Sequence, residues 1–170
     1  MIKKRVAFVV VIVFLSTAAG AGQKFTKEEL GARFYYDLGP SAINVSAYPA
    51  DQKANYAIFA KTCSQCHSLA RPINSPLIER KDWDRYVKRM HIKTKSRLKT
   101  EIAKPDAQAI VDFLTYDAQI RKVERKADFE AKTNEFKKLF EQVKQEKARR
   151  QAEENKRKAK PSQPYTGDKP

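Results

Sequence analysis

The segment DQKANYAIFAKTCSQCHSL (residues 51–69) decides how this chain is read. Asp51 stands where a helix N-cap is expected. Tyr56, Phe59, Ala60 and Cys63 then recur at helical spacing, so a helix is predicted to run straight into the cysteines. The segment holds both cysteines of the chain and one of its two histidines. Three chemistries are open to it: a redox dithiol, part of a zinc site, or the C-x-x-C-H pattern of covalent haem attachment.

The rest of the chain separates these readings. A thioredoxin-like dithiol belongs in a βαβ setting, whereas this sequence reads as helical throughout. A structural zinc site takes four ligands, and only Cys63, Cys66, His67 and the distant His91 are on offer. The haem pattern has a physical logic of its own. Two thiols on one turn can add to the two vinyl groups on one edge of the porphyrin, and the following His67 then serves as proximal ligand to the iron.

The N-terminus points the same way. Lys3, Lys4 and Arg5 precede an apolar run from Val6 to Leu15, and Ala19-Gly20-Ala21 offers a small-residue cleavage site. That is the layout of an export signal over residues 1–21, with cleavage expected after Ala21. Left uncleaved, the apolar stretch of about 17 residues is at the short limit of a membrane anchor. Either way the body of the protein is expected in the periplasm, where haem of the c type is attached.

A second helix is predicted from Asp82 to about His91. Trp83, Tyr86, Val87 and Met90 share one face of it. Once the signal is removed, Met90 is the only methionine, and a thioether is a good sixth ligand for His-ligated haem iron. His91 is the rival, turned about 100° from Met90 around the helix. The segment between the two helices, residues 68–81, is punctuated by Pro72 and Pro76 and reads as a loop. A basic connector, KTKSRLKTEIAKP (93–105), leads to a third helix with Ile110, Phe113 and Leu114 as its apolar stripe.

Outside this region, residues 22–50 read as an irregular lead-in with one short helix from Thr26, where Thr26 and Glu29 form a capping box. From Asp106 to Lys160 there is neither Pro nor Gly. A continuous helix of about 55 residues would span about 80 Å. Its thin stripe of Val123, Phe136, Leu139, Phe140 and Val143 would be exposed on a monomer, ready for a coiled coil or for docking. The tail at 161–170 is expected to be disordered.

Lys and Arg number 35 against 20 Asp and Glu, a formal charge of +15. Such an excess favours acidic partners or an anionic membrane surface. No nucleic-acid-binding module is visible and the basic residues alternate with Glu, so nucleic acid is not the expected partner.

Between residues 50 and 120 the chain resembles the small mono-haem, class I-like c-type cytochromes. Phe59 stands four residues before Cys63, where that family places an aromatic at the crossing of its first and last helices. AIVDFL (109–114) is similar to the family's terminal helix, which implies that Phe113 or Leu114 faces Phe59. Pro76 lies nine residues after His67, like the proline of short bacterial members whose carbonyl bonds the proximal imidazole. WDRYVKRMH (83–91) is similar to the W-x-x-x-V-x-x-M segment of reaction-centre-type cytochromes c-551 and related bacterial domains. The resemblance implies an all-α cytochrome c haem domain at 51–120; the long C-terminal helical extension read from the sequence at 121–160 has no counterpart in the minimal family fold. It also implies a cofactor contact for Pro76. From the residues themselves, the Trp83 indole N–H is a candidate donor to a haem propionate, Tyr56 is expected near the haem edge, and Arg71 and Arg80, which flank the loop, are candidates to pair with propionates.

The function expected from this reading is electron transfer by one covalent haem c, not enzymatic catalysis. With His67 and Met90 on the iron, both axial positions are taken. Lys61, Arg71, Lys88, Arg89 and Lys93 would steer an acidic or membrane-bound redox partner. Two alternatives stand beside it: a haem sensor or small-ligand-binding protein with an open iron, and a structural subunit that docks on a larger redox complex through its C-terminal helix, or pairs with itself there.

Overall fold

The structure, a computed structural model, describes residues 24–159. The expected export signal at 1–21 and the tail at 161–170 lie outside the described residues. Within them the chain forms six α-helices and no strand, as expected of the all-α class. No helix among the described residues is long and apolar enough to cross a membrane.

Helix α1 (Lys27–Gly31) starts at the capping box read from the sequence. The Thr26 hydroxyl accepts from the Glu29 N–H at 3.1 Å, and the Glu29 carboxylate accepts from the Thr26 N–H at 2.8 Å. A 3₁₀ turn follows at Tyr35–Leu38. Helix α2 (Ala50–Cys63) begins two residues earlier than an Asp51 N-cap implies. Pro49, with φ fixed at −54°, takes the N-cap position, and its carbonyl accepts the first helical bond, from Lys53 N–H at 3.0 Å. Asp51 is therefore not the cap. It lies in the first turn, where its charge still meets the positive end of the helix dipole.

Residues 68–81 are not all loop, because α3 (Ala70–Asn74) forms there. Pro72 does not prevent it. In a first turn the N–H that proline lacks has no intrahelical partner anyway. Helix α4 (Arg80–Leu98) outruns the expected end at His91 by about two turns. The basic segment after His91 is made of helix formers, and the helix stops only at Lys99, in the left-handed conformation with φ 58°. Helix α5 (Lys104–Ala118) carries Pro105 in its first turn.

The third helix and the long C-terminal helix read at 121–160 are both present, and the run without Pro or Gly from residue 106 is not one continuous helix. A π-helical turn at Gln119–Glu124 closes with the Arg125 N–H on the Ile120 carbonyl at 3.2 Å, and Arg125 itself leaves helical geometry at φ −108°, ψ 41°. Helix α6 (Lys126–Lys158) starts after that break, and its 33 residues span about 50 Å. It packs on α1 and on the Tyr35–Leu38 turn. The stripe expected to be exposed is largely covered from within the chain. Val143 is fully buried, Phe136, Leu139 and Phe140 are half-buried, and only Val123 is exposed.

The core sits where α2, α4 and α5 meet, around Phe59, Trp83, Ile110, Phe113 and Leu114. Phe59 and Phe113 have ring centroids 5.2 Å apart, and Tyr56 joins Phe113 at 5.1 Å. Below this core the buried Asp117 accepts from the Tyr48 hydroxyl at 2.9 Å and from Arg121, which also donates to the Ile73 carbonyl at 2.7 Å. That network ties the lead-in, α3 and α5 together.

The lead-in reaches α6 through a close approach at Gly39. A Cβ there would sit 2.8 Å from Phe136 Cε2 and closer still to the Asn74 amide. Its φ of −78° is ordinary, so space rather than backbone freedom demands glycine. Gly39→Ala is expected to cost about 1–3 kcal/mol through overpacking. Chemical denaturation would check this; an unchanged midpoint would mean that α6 yields freely at this contact.

Lys122 carries a second stability signature. Its Nζ lies 4.8 Å from the Trp83 ring centroid and 5.6 Å from that of Phe129, and donates to the Leu77 carbonyl at 3.0 Å. Burial pushes its pKa down to about 7, against the pull of Asp117 and with the repulsion of Arg121. The unfolded chain keeps this proton up to the ordinary value of 10.5, so from about pH 7 upward the unfolded state binds more protons than the folded one. The burial penalty is therefore full below about pH 7, and stability rises with pH across that window. Lys122→Met is expected to flatten the rise, as measured by urea unfolding from about pH 6 to pH 10; an identical slope in the variant would assign it to another group.

Candidate functional site

Cys63 is the last residue of α2, and Cys66 and His67 lie in the turn that leads to α3. Phe59, one helical turn before Cys63, is fully buried against Phe113 and so orients this end of α2. The Cys63 thiol is half-buried, the Cys66 thiol is exposed, and both are free. His67 Nδ1 lies 2.7 Å from the Ser68 carbonyl. A carbonyl only accepts, so Nδ1 must carry the proton, which leaves the lone pair on Nε2 free for a metal. Pro76 was expected to accept this bond; the nearer Ser68 carbonyl does so instead.

Cys66 and His67 open onto a cavity of about 530 Å³, within the range usual for cofactor sites. Met90, on α4, lines the same cavity, as do Arg71, Pro76 and Tyr86. A smaller recess of about 30 Å³ brings Cys63 to Cys66, His67, Tyr86 and Met90. Two elements distant in sequence thus present the two thiols, an imidazole and a thioether to one space. His91 is not among them. It lines a separate groove of about 760 Å³ between α4 and α5, with Lys88, Glu101 and Gln108.

Three other candidate residues do not line this cavity or the recess. Trp83 is fully buried; it packs edge-on to Tyr86 at 5.7 Å and beneath Lys122, and its indole N–H has no partner among the described residues. Tyr56 belongs to the α2–α5 crossing, against Phe59 and Phe113. Arg80 is bound to Asp112 at 2.6 Å, outside the large cavity.

The structure adds residues that the sequence reading passed over. Tyr86 counted there only as one apolar position on α4. Its ring does pack into the core, yet its buried hydroxyl has no partner and burial pushes its pKa up to about 12. It is thus a fixed hydrogen-bond donor beside the cavity. Arg33, Phe34 and Tyr36, from the lead-in, complete the wall. Nothing in their local pattern marks them, because contact between residues 33–36 and residues 66–90 is set by the tertiary fold.

The electrostatics weigh against the two competing uses of the cysteines. A reactive dithiol needs a stabilised thiolate, and burial, followed by the neighbouring Cys66, pushes Cys63 up to about 12. Its place at the C-terminal end of α2 adds the negative end of the helix dipole, which also disfavours the anion. For zinc, no cluster of three or more His, Cys, Asp or Glu side chains that could hold a metal ion occurs among the described residues.

In the chain with both thiols free, iodoacetamide at about pH 8 is expected to label Cys66 at least about tenfold faster than Cys63. Peptide mass spectrometry would read the two rates, and equal rates would contradict the buried, protonated state of Cys63. Comparisons of the chain with protein-family models, with curated proteins and with solved structures give no match.

Proposed function

We propose that this protein carries one haem c, tethered through Cys63 and Cys66 and ligated by His67 and Met90, and that it passes single electrons between redox partners. The observation that carries this reading is that His67 and Met90 line one cavity with the motif cysteines, while His91 lines another. The haem iron supplies one-electron chemistry when bound. The chain's residues do the rest. His67 is held in one tautomer by the Ser68 carbonyl. Met90 supplies the thioether that would serve as the second protein ligand to the iron. Pro76 forms cavity wall, and the Tyr86 hydroxyl offers a donor to a polar group of the cofactor.

The exposed cations Lys61, Lys88, Arg89 and Lys93 suit steering of an acidic or membrane-bound redox partner. Arg71 leaves that set, because Asp37 neutralises it. Residues 1–21 suit delivery to the periplasm. The long α6 lends itself less to self-association than its sequence implies, since its apolar stripe is already largely covered.

The test is a pair of spectra on the full chain matured in a periplasm. Pyridine haemochrome is expected to show one haem per chain, lost in Cys63→Ala/Cys66→Ala. The ferric near-infrared spectrum is expected to show the thioether band, lost in Met90→Ala but kept in His91→Ala. Absence of haem would overturn the reading. A high-spin ferric parent that binds CO on reduction would replace electron transfer with a ligand-binding role.

A further inference from the structure

The cavity wall formed by residues 33–36 is held by one carboxylate. Asp37 accepts both donors of the Arg71 fork, Nε at 2.7 Å and Nη2 at 2.8 Å. The same carboxylate accepts the backbone N–H groups of Arg33 at 2.9 Å and Phe34 at 3.1 Å. Arg71 also lies over the Phe34 ring, 5.2 Å from its centroid, and Phe34 stacks on Tyr36 at 5.0 Å. Arg71 is only four residues beyond His67. Asp37 therefore joins the lead-in directly to the helix that follows the C-x-x-C-H turn.

Helix α6 supports this strap from the other side. Lys147 Nζ donates to the Ala32 carbonyl at 2.7 Å, Lys137 lies over the Tyr35 ring at 5.5 Å, and Phe136 packs at Gly39. The Asn74 amide bonds the Pro40 carbonyl at 2.9 Å. Residues 32–40 are thus pinned between α3 and α6, with Arg33, Phe34 and Tyr36 turned to the cavity.

We infer that Asp37 is a positioning residue for the cofactor cavity: by its two-point bond to Arg71 it closes the lead-in strap over the site and cancels the Arg71 charge beside it. The inference rests on the proposed haem reading. It also gives the C-terminal helix a task within the monomer, which is to back the strap. Breaking the pair has two separable effects. Losing either partner loosens the strap, so small ligands reach the site more easily. Losing Asp37 leaves an uncompensated cation by the cofactor, whereas losing Arg71 leaves an uncompensated anion, and these act on an electron with opposite sign.

The experiment compares Asp37→Asn, Arg71→Gln and the double variant with the parent, all as haem-loaded full chains. Arg80→Gln serves as control, since Arg80 pairs with Asp112 away from the large cavity. Imidazole binding to the ferric protein is expected to quicken about tenfold in all three strap variants, and not in the control. The reduction equilibrium is expected to shift about fivefold toward the reduced form in Asp37→Asn and about fivefold toward the oxidised form in Arg71→Gln. The double variant is expected to return near the parent value. Shifts of the same sign in the two single variants, or parent-like imidazole rates, would overturn the inference while haem content by pyridine haemochrome still upholds the reading beneath it. A parent chain without haem would overturn both. Circular dichroism and haem content distinguish a variant that has failed to fold; Asp37→Asn, nearly isosteric, is the variant on which the sign test stands if Arg71→Gln does not mature.

Discussion

The contact between Phe59 and Phe113 is the constraint on which the rest of this structure depends. Both rings are fully buried, and together with Tyr56 they lock α2 against α5. Phe-to-Ala changes at such sites cost about 3–5 kcal/mol, a large part of the stability of a domain this size. Because Cys63 follows Phe59 by one helical turn, the crossing also sets the azimuth of the motif. Cys63 is held toward the core, and the turn that carries Cys66 and His67 emerges at the end of α2, facing α4. A C-x-x-C-H pattern on an unanchored turn would face no fixed cavity. Here the packing of one aromatic pair aims it at Met90.

The second constraint lies in the lead-in and the C-terminal helix, which lean on each other. Neither has much core of its own. The apolar stripe of α6 is thin, and residues 24–49 form only a five-residue helix and one 3₁₀ turn. Each covers the other: Val143 is buried, Ala32 is buried, and Gly39 admits Phe136. The π-helical turn at Gln119–Glu124 places Lys122 into contact with Trp83 and Phe129, so the link between α5 and α6 is anchored on both sides. Burying a lysine at this point is costly, and its depressed pKa is the sign of that cost. The contacts to two rings and to the Leu77 carbonyl offset it in part.

Local signals in the sequence were read well wherever the physics was local. The Thr26/Glu29 capping box, the helix that ends in the cysteines and the Trp83/Tyr86/Val87/Met90 face each depend on neighbours within a turn or two, and each is present. The misreadings share a different origin. Pro72 signals a break in isolation but is harmless in a first turn, and Pro49 outcompeted Asp51 for the N-cap because its backbone was already set. Nothing between residues 106 and 160 announces the π-helical turn, since no Pro or Gly marks it. The cavity wall was the least legible part. Trp83 and Tyr56, singled out for their chemistry, pack in the core and not in this wall, while Arg33, Phe34 and Tyr36 came from a segment that carries no motif.

Electrostatics decide how the two cysteines can be used. A thiol that attacks a disulfide must give up its proton readily, and such thiols sit at helix N-termini or beside cations. Cys63 sits half-buried at a helix C-terminus beside Cys66, and each feature keeps it protonated. The thiol is poorly suited to reversible redox exchange. It is well suited to a permanent carbon–sulfur bond, in which the sulfur carries no charge and burial carries no electrostatic penalty. The same burial that disqualifies Cys63 as a reagent therefore favours it as a tether, and it links the haem reading of C-x-x-C-H to the packing of Phe59 one turn before it.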